Sequence, residues 1–287
     1  MIQKIDGKTK VLGLIGNPVE HTISPSIHNI LSYKLGMNYV YVPFCVNKGM
    51  LEKAIDGARA LNIEGLNITV PYKEQVINNL IKVTPLARQI GAVNTLKLTS
   101  GGYIGYNTDA DGLNASLVKN NIKLNKSSIV IIGAGGAAKA VGMLCAREKC
   151  KQITIINRTI SKGEKLADNI RQYYDTEIKV IGLNKIYNIS PFDIAIQTTP
   201  IGMSPQILDN PIIDDKFYNK FHTAVDLIYN PRKTQFLLKA EKNGLKILNG
   251  FEMLFYQGVK AYEIWNDIKI SEEILEDVMI NILNQYR

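Results

Sequence analysis

The stretch Ile129-Val130-Ile131-Ile132-Gly133-Ala134-Gly135-Gly136-Ala137-Ala138 decides the fold that the sequence predicts. Its four β-branched apolar residues are typical of a buried strand, and the pattern G-x-G-x-x-A then predicts a tight turn that opens a helix. The first glycine permits the turn, the second lets backbone approach a pyrophosphate, and the small third residue lets helix and strand pack closely. A second strand-like run at 153–157 follows. In this strand–turn–helix–strand context the pattern indicates a dinucleotide site rather than a mere tight turn.

The end of that second strand favours NADP as the dinucleotide. An NAD enzyme usually carries Asp or Glu about 20 residues past the glycines, where it binds the ribose 2′-hydroxyl. Here the strand ends in Asn157-Arg158-Thr159, and Lys162 follows. A guanidinium can hold a 2′-phosphate through paired charge-assisted hydrogen bonds, whereas a carboxylate would repel it. The alternative is an ordinary solvent-facing arginine at the end of a strand.

Strand and helix patterns alternate along the rest of the chain. Short apolar runs beside Gly, Pro or Asn predict strands at 11–16, 39–46, 65–70, 93–98, 129–133, 153–157, 194–198, 224–229 and 245–248. Helical spacing predicts helices from Pro25 (with Ser24 as N-cap) and at 50–61, 73–81, 109–121, 137–147, 162–174, 232–243, 251–265 and 272–285. This alternation predicts the α/β class with parallel sheets covered on both faces. We place one domain at 1–105 and a second at 106–245.

Composition and charge exclude some classes of function. The 287 residues are 46% hydrophobic and 21% charged, as in a globular protein with a real core. The net charge of +8 suits acidic ligands and nucleic acid alike, but the basic residues are scattered and no RNA-binding pattern occurs, so we expect no nucleic-acid partner. No apolar run is long enough for a membrane span, and the N-terminal residues lack a secretory pattern, so a cytoplasmic protein is expected.

Cysteines and histidines give no metal-binding pattern. Cys45, Cys145 and Cys150 lack C-x-x-C spacing, and the three histidines lack H-x-x-x-H spacing. We therefore expect no metal site, and thiols that stay reduced.

Several short motifs follow one another in an order that resembles the shikimate dehydrogenase family over essentially the whole chain. They are Ser24-Pro25-Ser26 with His28-Asn29, Asn67-Ile68-Thr69-Val70-Pro71-Tyr72-Lys73, Gly91-Ala92-Val93-Asn94-Thr95, Gly105-Tyr106-Asn107-Thr108-Asp109, the glycine loop with Asn-Arg-Thr, Asp226-Leu227-Ile228-Tyr229-Asn230-Pro231, Gly250, and Met253-Leu254-Phe255-Tyr256-Gln257. The resemblance implies reversible NADPH-dependent reduction of 3-dehydroshikimate to shikimate, a step of chorismate and aromatic amino acid biosynthesis. It also implies that the helices of 246–287 return to the first domain and that the active site lies in a cleft between the domains.

The resemblance further implies roles for individual residues. Lys73 and Asp109 would form the catalytic pair. Residues implied to hold the carboxylate and hydroxyls of the substrate, or to lie near them, are Ser24, Ser26, Asn67, Thr69, Asn94, Tyr229 and Gln257. Residues implied to contact the cofactor are Gly133, Ala134, Gly135, Gly136, Ala137, Asn157, Arg158, Thr159, Lys162, Thr198, Leu227 and Gly250.

The chemistry of oxidising an alcohol agrees with the proposed pair. A group must take the hydroxyl proton in one direction and return it in the other, which a lysine oriented by a carboxylate can do. Lys73 is expected in the first turn of the helix at 73–81, and Asp109 at the start of the helix at 109–121. Each of these residues also has a purely structural interpretation. Lys73 could be a solvent-exposed lysine and Asp109 a residue that only begins a helix. Ser24 and Ser26 could only begin a helix, and Asn67 and Thr69 could lie on the solvent-facing side of a sheet.

Two departures and three competing functions remain open. Thr22 stands where the family usually has Ser, and Gln197 replaces a more usual Asn in a segment expected near the nicotinamide. The competing functions are a quinate/shikimate dehydrogenase with relaxed cofactor use, a non-catalytic sensor of the same ligand, and, less favoured, a nucleic-acid binder. The expected partners are shikimate or 3-dehydroshikimate, and the expected assembly is a monomer or a homodimer.

Overall fold

The computed structural model describes residues 5–285, which form two six-stranded sheets with their own helices. The chain divides into two compact units: one runs up to Thr108 and resumes at Phe255, and the other is Asp109–Leu254. The α/β class is confirmed. The functional ranges expected from the sequence (1–105 with 246–287 for substrate, and 106–245 for NADP) stay a prediction.

The sheet of the first unit mixes parallel and antiparallel strands. Its strands are β1 (Lys10–Gly16), β2 (Tyr39–Cys45), β3 (Gly65–Ile68), β4 (Lys82–Val83), β5 (Thr95–Thr99) and β6 (Gly102–Tyr106). Their order is β2-β1-β3-β5-β6-β4, and β5 is antiparallel to both of its neighbours. The expectation of a parallel sheet is wrong here. Only Ser100 and Gly101 separate β5 from β6, and a parallel pair needs a crossover of a dozen or more residues.

Three helices belong to the first part of this unit: α1 (Ser24–Lys34), α2 (Leu51–Ala60) and α3 (Pro85–Ile90). The residue at the N-cap of α1 is Ile23, so Ser24 lies inside the helix and the prediction that it is the cap is wrong. The helix predicted at 73–81 is also wrong. A 3-10 helix at Gln75–Asn79 takes its place, and Leu80 is already extended. Asn78 and Asn79 have low helix propensity, which accounts for the early end.

The sheet of the second unit is entirely parallel. Its strands are β7 (Ser128–Ile132), β8 (Gln152–Ile156), β9 (Glu177–Ile181), β10 (Ile194–Gln197), β11 (Thr223–Asp226) and β12 (Lys246–Leu248). The order β12-β11-β10-β7-β8-β9 is that of the Rossmann fold, with the first strand of the sheet at its centre. Strand order therefore confirms the fold that the glycine-rich stretch predicts. The switch point, where ligands of this fold bind, lies between the carboxyl ends of β7 and β10.

The remaining helices are α4 (Asp109–Lys119), α5 (Gly136–Arg147), α6 (Ile160–Arg171), α7 (Gln235–Lys242), α8 (Phe251–Asn266) and α9 (Glu272–Gln285). The division between the units falls within α8, after Leu254. Most of α8 and all of α9 therefore belong to the first unit, whereas 246–254 belongs to the second.

Candidate active site

Polar side chains collect at one edge of the first sheet. The parallel strands β1 and β3 end at this edge, and β5, antiparallel to β3, begins there, with Thr95 paired to Asn67. The chain beyond β1 then enters α1 at Ser24. Three segments distant in sequence thus deliver hydroxyl and amide groups to one place, because strand direction decides which ends meet.

Asn67 is the centre of a buried hydrogen-bond network. It is 5% exposed, and its Nδ2 donates to the Asn94 carbonyl and to Thr95 Oγ1, both at 3.2 Å. Its Oδ1 accepts from the phenol of Tyr41 at 2.8 Å. Buried amides held in this way keep one orientation, since a flip would set oxygen against the Asn94 carbonyl.

Asn94 continues the network toward α8. Its Oδ1 accepts from the backbone N–H of Thr108 at 2.8 Å, which settles the orientation of this amide as well. Its Nδ2 donates to Thr108 Oγ1 at 3.0 Å and to Gln257 Oε1 at 3.4 Å. Three residues predicted to hold substrate (Asn67, Asn94 and Gln257) therefore share one buried network within the first unit.

The other predicted substrate residues of the first unit lie around it. Ser24 is 6% exposed and accepts a hydrogen bond from Thr22 Oγ1 at 3.1 Å, so the threonine that departs from the family pattern keeps a hydroxyl contact. Ser26 is partly buried in the first turn of α1. Thr69 directly follows β3 and is partly buried, with its backbone N–H bonded to the Ile15 carbonyl at 2.9 Å.

Lys73 and Asp109 belong to different units. Lys73 is partly buried in the turn before the 3-10 helix, and its carbonyl accepts from the backbone N–H of Val93 at 2.8 Å. That bond ties Lys73 to the residue beside Asn94. Asp109 is 8% exposed and begins α4 directly after Thr108. The helix expected from Asp109 is present, whereas the helix expected from Lys73 is not.

The glycine loop has the features of a phosphate cradle. Gly133 is buried with φ of 110°, and a Cβ there would lie 2.6 Å from Thr198 Oγ1, so this position at the switch point requires glycine. A Cβ at Gly135 or Gly136 would meet nothing within 4 Å, so the loop opens to space on that side. Helix α5 starts at Gly136 with neither a side-chain cap nor an acidic residue in its first turn. Its N-terminal amides, with Ala134 and Ala137 beside them, suit an anion.

The residues after β8 are basic or neutral. Arg158, Thr159 and Lys162 are exposed, and Asn157 holds the turn by donating from Nδ2 to the Thr159 carbonyl at 2.8 Å. The position where an NAD enzyme places a carboxylate therefore holds none, and a guanidinium and an ammonium group lie nearby in sequence.

Gln197 organises the turn at the end of β10. It is fully buried, and its Nε2 donates to the carbonyls of Thr199 (3.0 Å) and Ile201 (3.1 Å) while its Oε1 accepts from the Thr199 backbone N–H. Thr198 is partly buried and donates to the Ile132 carbonyl at 2.8 Å, joining β10 to β7. The residue that departs from the family pattern thus makes three bonds to the turn at the switch point.

A second turn follows β11 and carries Leu227 and Tyr229. A Cβ on Gly250 would lie 2.0 Å from the Leu227 carbonyl oxygen, so close backbone packing alone requires this glycine. Buried Asp226 accepts from Thr234 Oγ1 at 2.6 Å and from the Ile228 backbone N–H at 2.9 Å, which closes the turn. Burial raises the pKa of Asp226 to about 7. Tyr229 is partly buried and belongs to the second unit.

Sequence reasoning missed four residues that organise these sites: Tyr41, Thr95, Thr108 and Asp226. Tyr41 and Thr95 lie in predicted strands at positions that the structure buries, and buried tyrosine and threonine hydroxyls need partners. That requirement is the signal that marks them. The bonds of Tyr41 and Thr95 to Asn67 span 26 and 28 positions, so Asn67 could not be named as their partner from the sequence.

Within residues 5–285, no helix combines the length and apolar character that crossing a membrane requires. In the same range, no three or more His, Cys, Asp or Glu side chains are grouped as a metal site would need.

Comparison with known proteins decides the family. Residues 14–96 match the shikimate dehydrogenase substrate binding domain, and residues 116–234 match shikimate / quinate 5-dehydrogenase. A shikimate dehydrogenase (NADP(+)) from Methanococcus aeolicus is 41% identical over 97% of this chain and 100% of its own length. The chain belongs to the shikimate dehydrogenase family.

Solved members of the shikimate dehydrogenase family share the fold. One in complex with NADP+ superposes with a TM-score of 0.88 at 41% identity, covering 97% of each chain. Shikimate 5-dehydrogenase from Listeria monocytogenes, in complex with shikimate and NAD, superposes with a TM-score of 0.89 at 31% identity and covers 97% of this chain and 99% of its own. The recognised family and the two-domain α/β fold with a Rossmann domain are thereby confirmed.

Proposed function

We propose that this chain catalyses the reversible NADPH-dependent reduction of 3-dehydroshikimate to shikimate, as an oxidoreductase acting on a CH–OH group. The observation that carries the proposal is the buried network of Asn67, Asn94 and Gln257 in a chain of the shikimate dehydrogenase family. A small polyol needs several donors and acceptors of fixed orientation, and this network supplies them.

The network would also make the site selective. Amides and hydroxyls that are already held by protein partners cannot turn to suit a ligand that lacks one hydroxyl. Such a ligand would leave a buried polar group unpaired, which costs far more than the loss of an apolar contact. Ser24, Ser26 and Thr69 would complete the set of hydroxyls around the carboxylate and ring.

The second unit fits NADP. The amides of Ala134, Gly135, Gly136 and Ala137 would hold the pyrophosphate. Gly133, whose own N–H donates to the Ile156 carbonyl at 2.8 Å, would make the turn against the cofactor. Arg158, with Asn157, Thr159 and Lys162, would hold the 2′-phosphate, and Thr198, Leu227 and Gly250 would lie along the remainder of the cofactor. When bound, the reduced cofactor supplies the hydride.

Lys73 would exchange the proton of the reacting hydroxyl, and Asp109 would orient the Lys73 side chain and relay protons. Within the first unit, the Lys73 carbonyl accepts a hydrogen bond from the backbone N–H of Val93, the residue before Asn94. Thr108, which precedes Asp109, is bonded to Asn94 as well. Tyr229, in the turn after β11, would lie near the substrate.

We also infer that the protein works in the cytoplasm as a monomer or homodimer. Its three cysteines are free thiols, which suits a reducing compartment.

Turnover tests the proposal directly. Purified protein is mixed with shikimate and either NADP or NAD, with quinate in parallel, and reduced nicotinamide is followed by absorbance. We expect fast reduction of NADP with shikimate and slower reduction with NAD or quinate. Lys73→Ala should lower kcat by about 10² to 10⁴ while shikimate still binds, because the loss is of proton transfer. Binding without turnover in the unmodified protein would contradict the proposal and favour a ligand sensor.

A further inference from the structure

Tyr41 is held rigidly within the first unit. It is 3% exposed on β2, and Asn29 clamps its backbone by accepting from its N–H at 2.8 Å and donating to its carbonyl at 3.2 Å. Its ring stacks on His28 with centroids 4.2 Å apart and planes 15° apart. His28 is itself fully buried, and Tyr262 and Trp265 lie within 6.1 Å and 5.1 Å of it. The phenol therefore projects from a fixed ring.

The Tyr41 hydroxyl is a permanent donor. Burial raises the pKa of Tyr41 above its ordinary range, so the proton stays on the oxygen. That proton goes to Asn67 Oδ1 at 2.8 Å. The Ser24 hydroxyl lies beside the same phenol. Tyr41 thus links two residues that the proposed function places around the substrate.

The bonds of Asn67 decide what this amide can offer a ligand. Both hydrogens of Nδ2 have acceptors inside the protein, Asn94 O and Thr95 Oγ1. Oδ1 accepts from Tyr41. The His28 ring also lies beside the Asn67 side chain, but neither of its nitrogens forms a hydrogen bond. A carbonyl oxygen has two lone pairs, so one remains. Asn67 can therefore accept one more hydrogen bond but has no hydrogen to give.

We propose that Tyr41 is a positioning residue that fixes Asn67 as a hydrogen-bond acceptor for a ring hydroxyl of the substrate. This inference rests on the proposed function. It adds a positioning residue, Tyr41, and it assigns Asn67 the role of hydrogen-bond acceptor rather than donor. It implies that Asn67 selects a hydroxyl and takes no part in holding the carboxylate, which needs donors.

The test compares Tyr41→Phe with Tyr39→Phe. Tyr39 lies two residues earlier on the same face of β2 and donates its phenol proton to Glu64 Oε2 at 2.7 Å, so the control loses a similar bond away from Asn67. We expect the KM for shikimate to rise about five- to tenfold in Tyr41→Phe, the range for one neutral hydrogen bond, and to stay unchanged in Tyr39→Phe. The KM for NADP should stay unchanged in both.

A double-mutant cycle shows whether Tyr41 acts through Asn67. In an Asn67→Ala background, Tyr41→Phe should raise the KM for shikimate no further. The same rise in that background, an equal rise in Tyr39→Phe, or no rise at all would overturn the inference. Turnover by the unmodified protein is measured alongside, so failure of the proposed function is seen separately.

A second measurement needs no variant of Tyr41. In ¹⁵N-labelled protein the two side-chain amide protons of Asn67 should exchange slowly and keep their chemical shifts when shikimate is added, because protein oxygens already hold both. Large shifts of these protons on adding shikimate would overturn the inference, since they would show that the amide donates to the ligand.

Discussion

His28 shows at the residue scale how burial determines the charge state of a side chain. Among residues 5–285, the buried side-chain nitrogen and oxygen atoms that lack a hydrogen-bond partner are its two ring nitrogens. Burial lowers its pKa to about 3, so the ring stays neutral at physiological pH. A neutral ring packs between aromatic neighbours as an apolar group would.

The lowered pKa of His28 makes stability depend on pH. The unfolded chain binds a proton at His28 below about pH 6.5 while the folded state does not, so this contribution to stability is complete above that pH and is lost as pH falls toward 3. His28→Phe keeps the ring stack and removes the titration. Between pH 6.5 and 4 the unmodified protein should lose about 3 kcal/mol more unfolding free energy than His28→Phe.

Urea titrations at several pH values measure this difference. His222→Phe, which removes an imidazole that is 70% exposed, is measured in parallel as the control for losing a histidine. Parallel pH curves for the unmodified protein and His28→Phe would show that the ring can be protonated in the folded state.

Arg158 is expected to determine the preference for NADP over NAD. Arg158→Ala should raise the KM for NADP by on the order of 10- to 100-fold, the loss expected for charge-assisted hydrogen bonds to a phosphate, and should leave the KM for NAD nearly unchanged. Steady-state kinetics with both cofactors measure the ratio. Lys242→Ala is a matched control because it removes an exposed positive charge on α7, which packs on β11 and β12 at the opposite edge of the sheet. Equal effects on NADP and NAD would argue against a 2′-phosphate contact.

At the scale of elements, Gln197 joins a strand to the turn that follows it. Gln197→Ala would leave the Thr199 N–H and two carbonyls without their partner, at a cost of about 1–3 kcal/mol for a buried group. The turn carries Thr198, so we expect the KM for NADP to rise while the KM for shikimate changes little. Thermal unfolding and kinetics test both effects. Gln172→Ala at the exposed end of α6 should change neither, and an unaltered KM for NADP in Gln197→Ala would mean that the turn does not contact the cofactor.

The elements that sequence patterns predicted well are those with strong local signals. Helix α9 begins and ends where predicted, and α5 starts one residue before its predicted range. The strand β9 was missed, because Glu177-Ile178-Lys179-Val180-Ile181 alternates over only five residues and follows a polar stretch. The β5–β6 hairpin was also missed. Its second strand holds two glycines, which weaken the strand signal.

At the scale of the whole molecule, the two units should respond to different ligands. The N-terminal amides of α5 have no acceptor within the helix, so they exchange rapidly until a phosphate accepts from them. Adding NADP should slow hydrogen exchange at 134–138, and adding shikimate should slow it at 67–73 and 93–95. Mass spectrometry of peptic peptides measures both. Peptides from α7 should be unaffected, and protection of the first unit alone by NADP would contradict the expected assignment of domains.

The sequence by itself determined the Rossmann fold of the second unit, the basic residues after β8, and membership of the shikimate dehydrogenase family. Each depends on residues adjacent in the chain, whose backbone preferences and spacing are local. Only the tertiary structure decided which buried polar side chains form hydrogen bonds with one another. Tyr41 meets Asn67 across 26 positions and Asn94 meets Gln257 across 163, through strand order and the return of α8. The order of the strands and the position of α8 are set by packing between distant segments. Buried polar groups need hydrogen-bond partners, and that packing decides which partners are within reach.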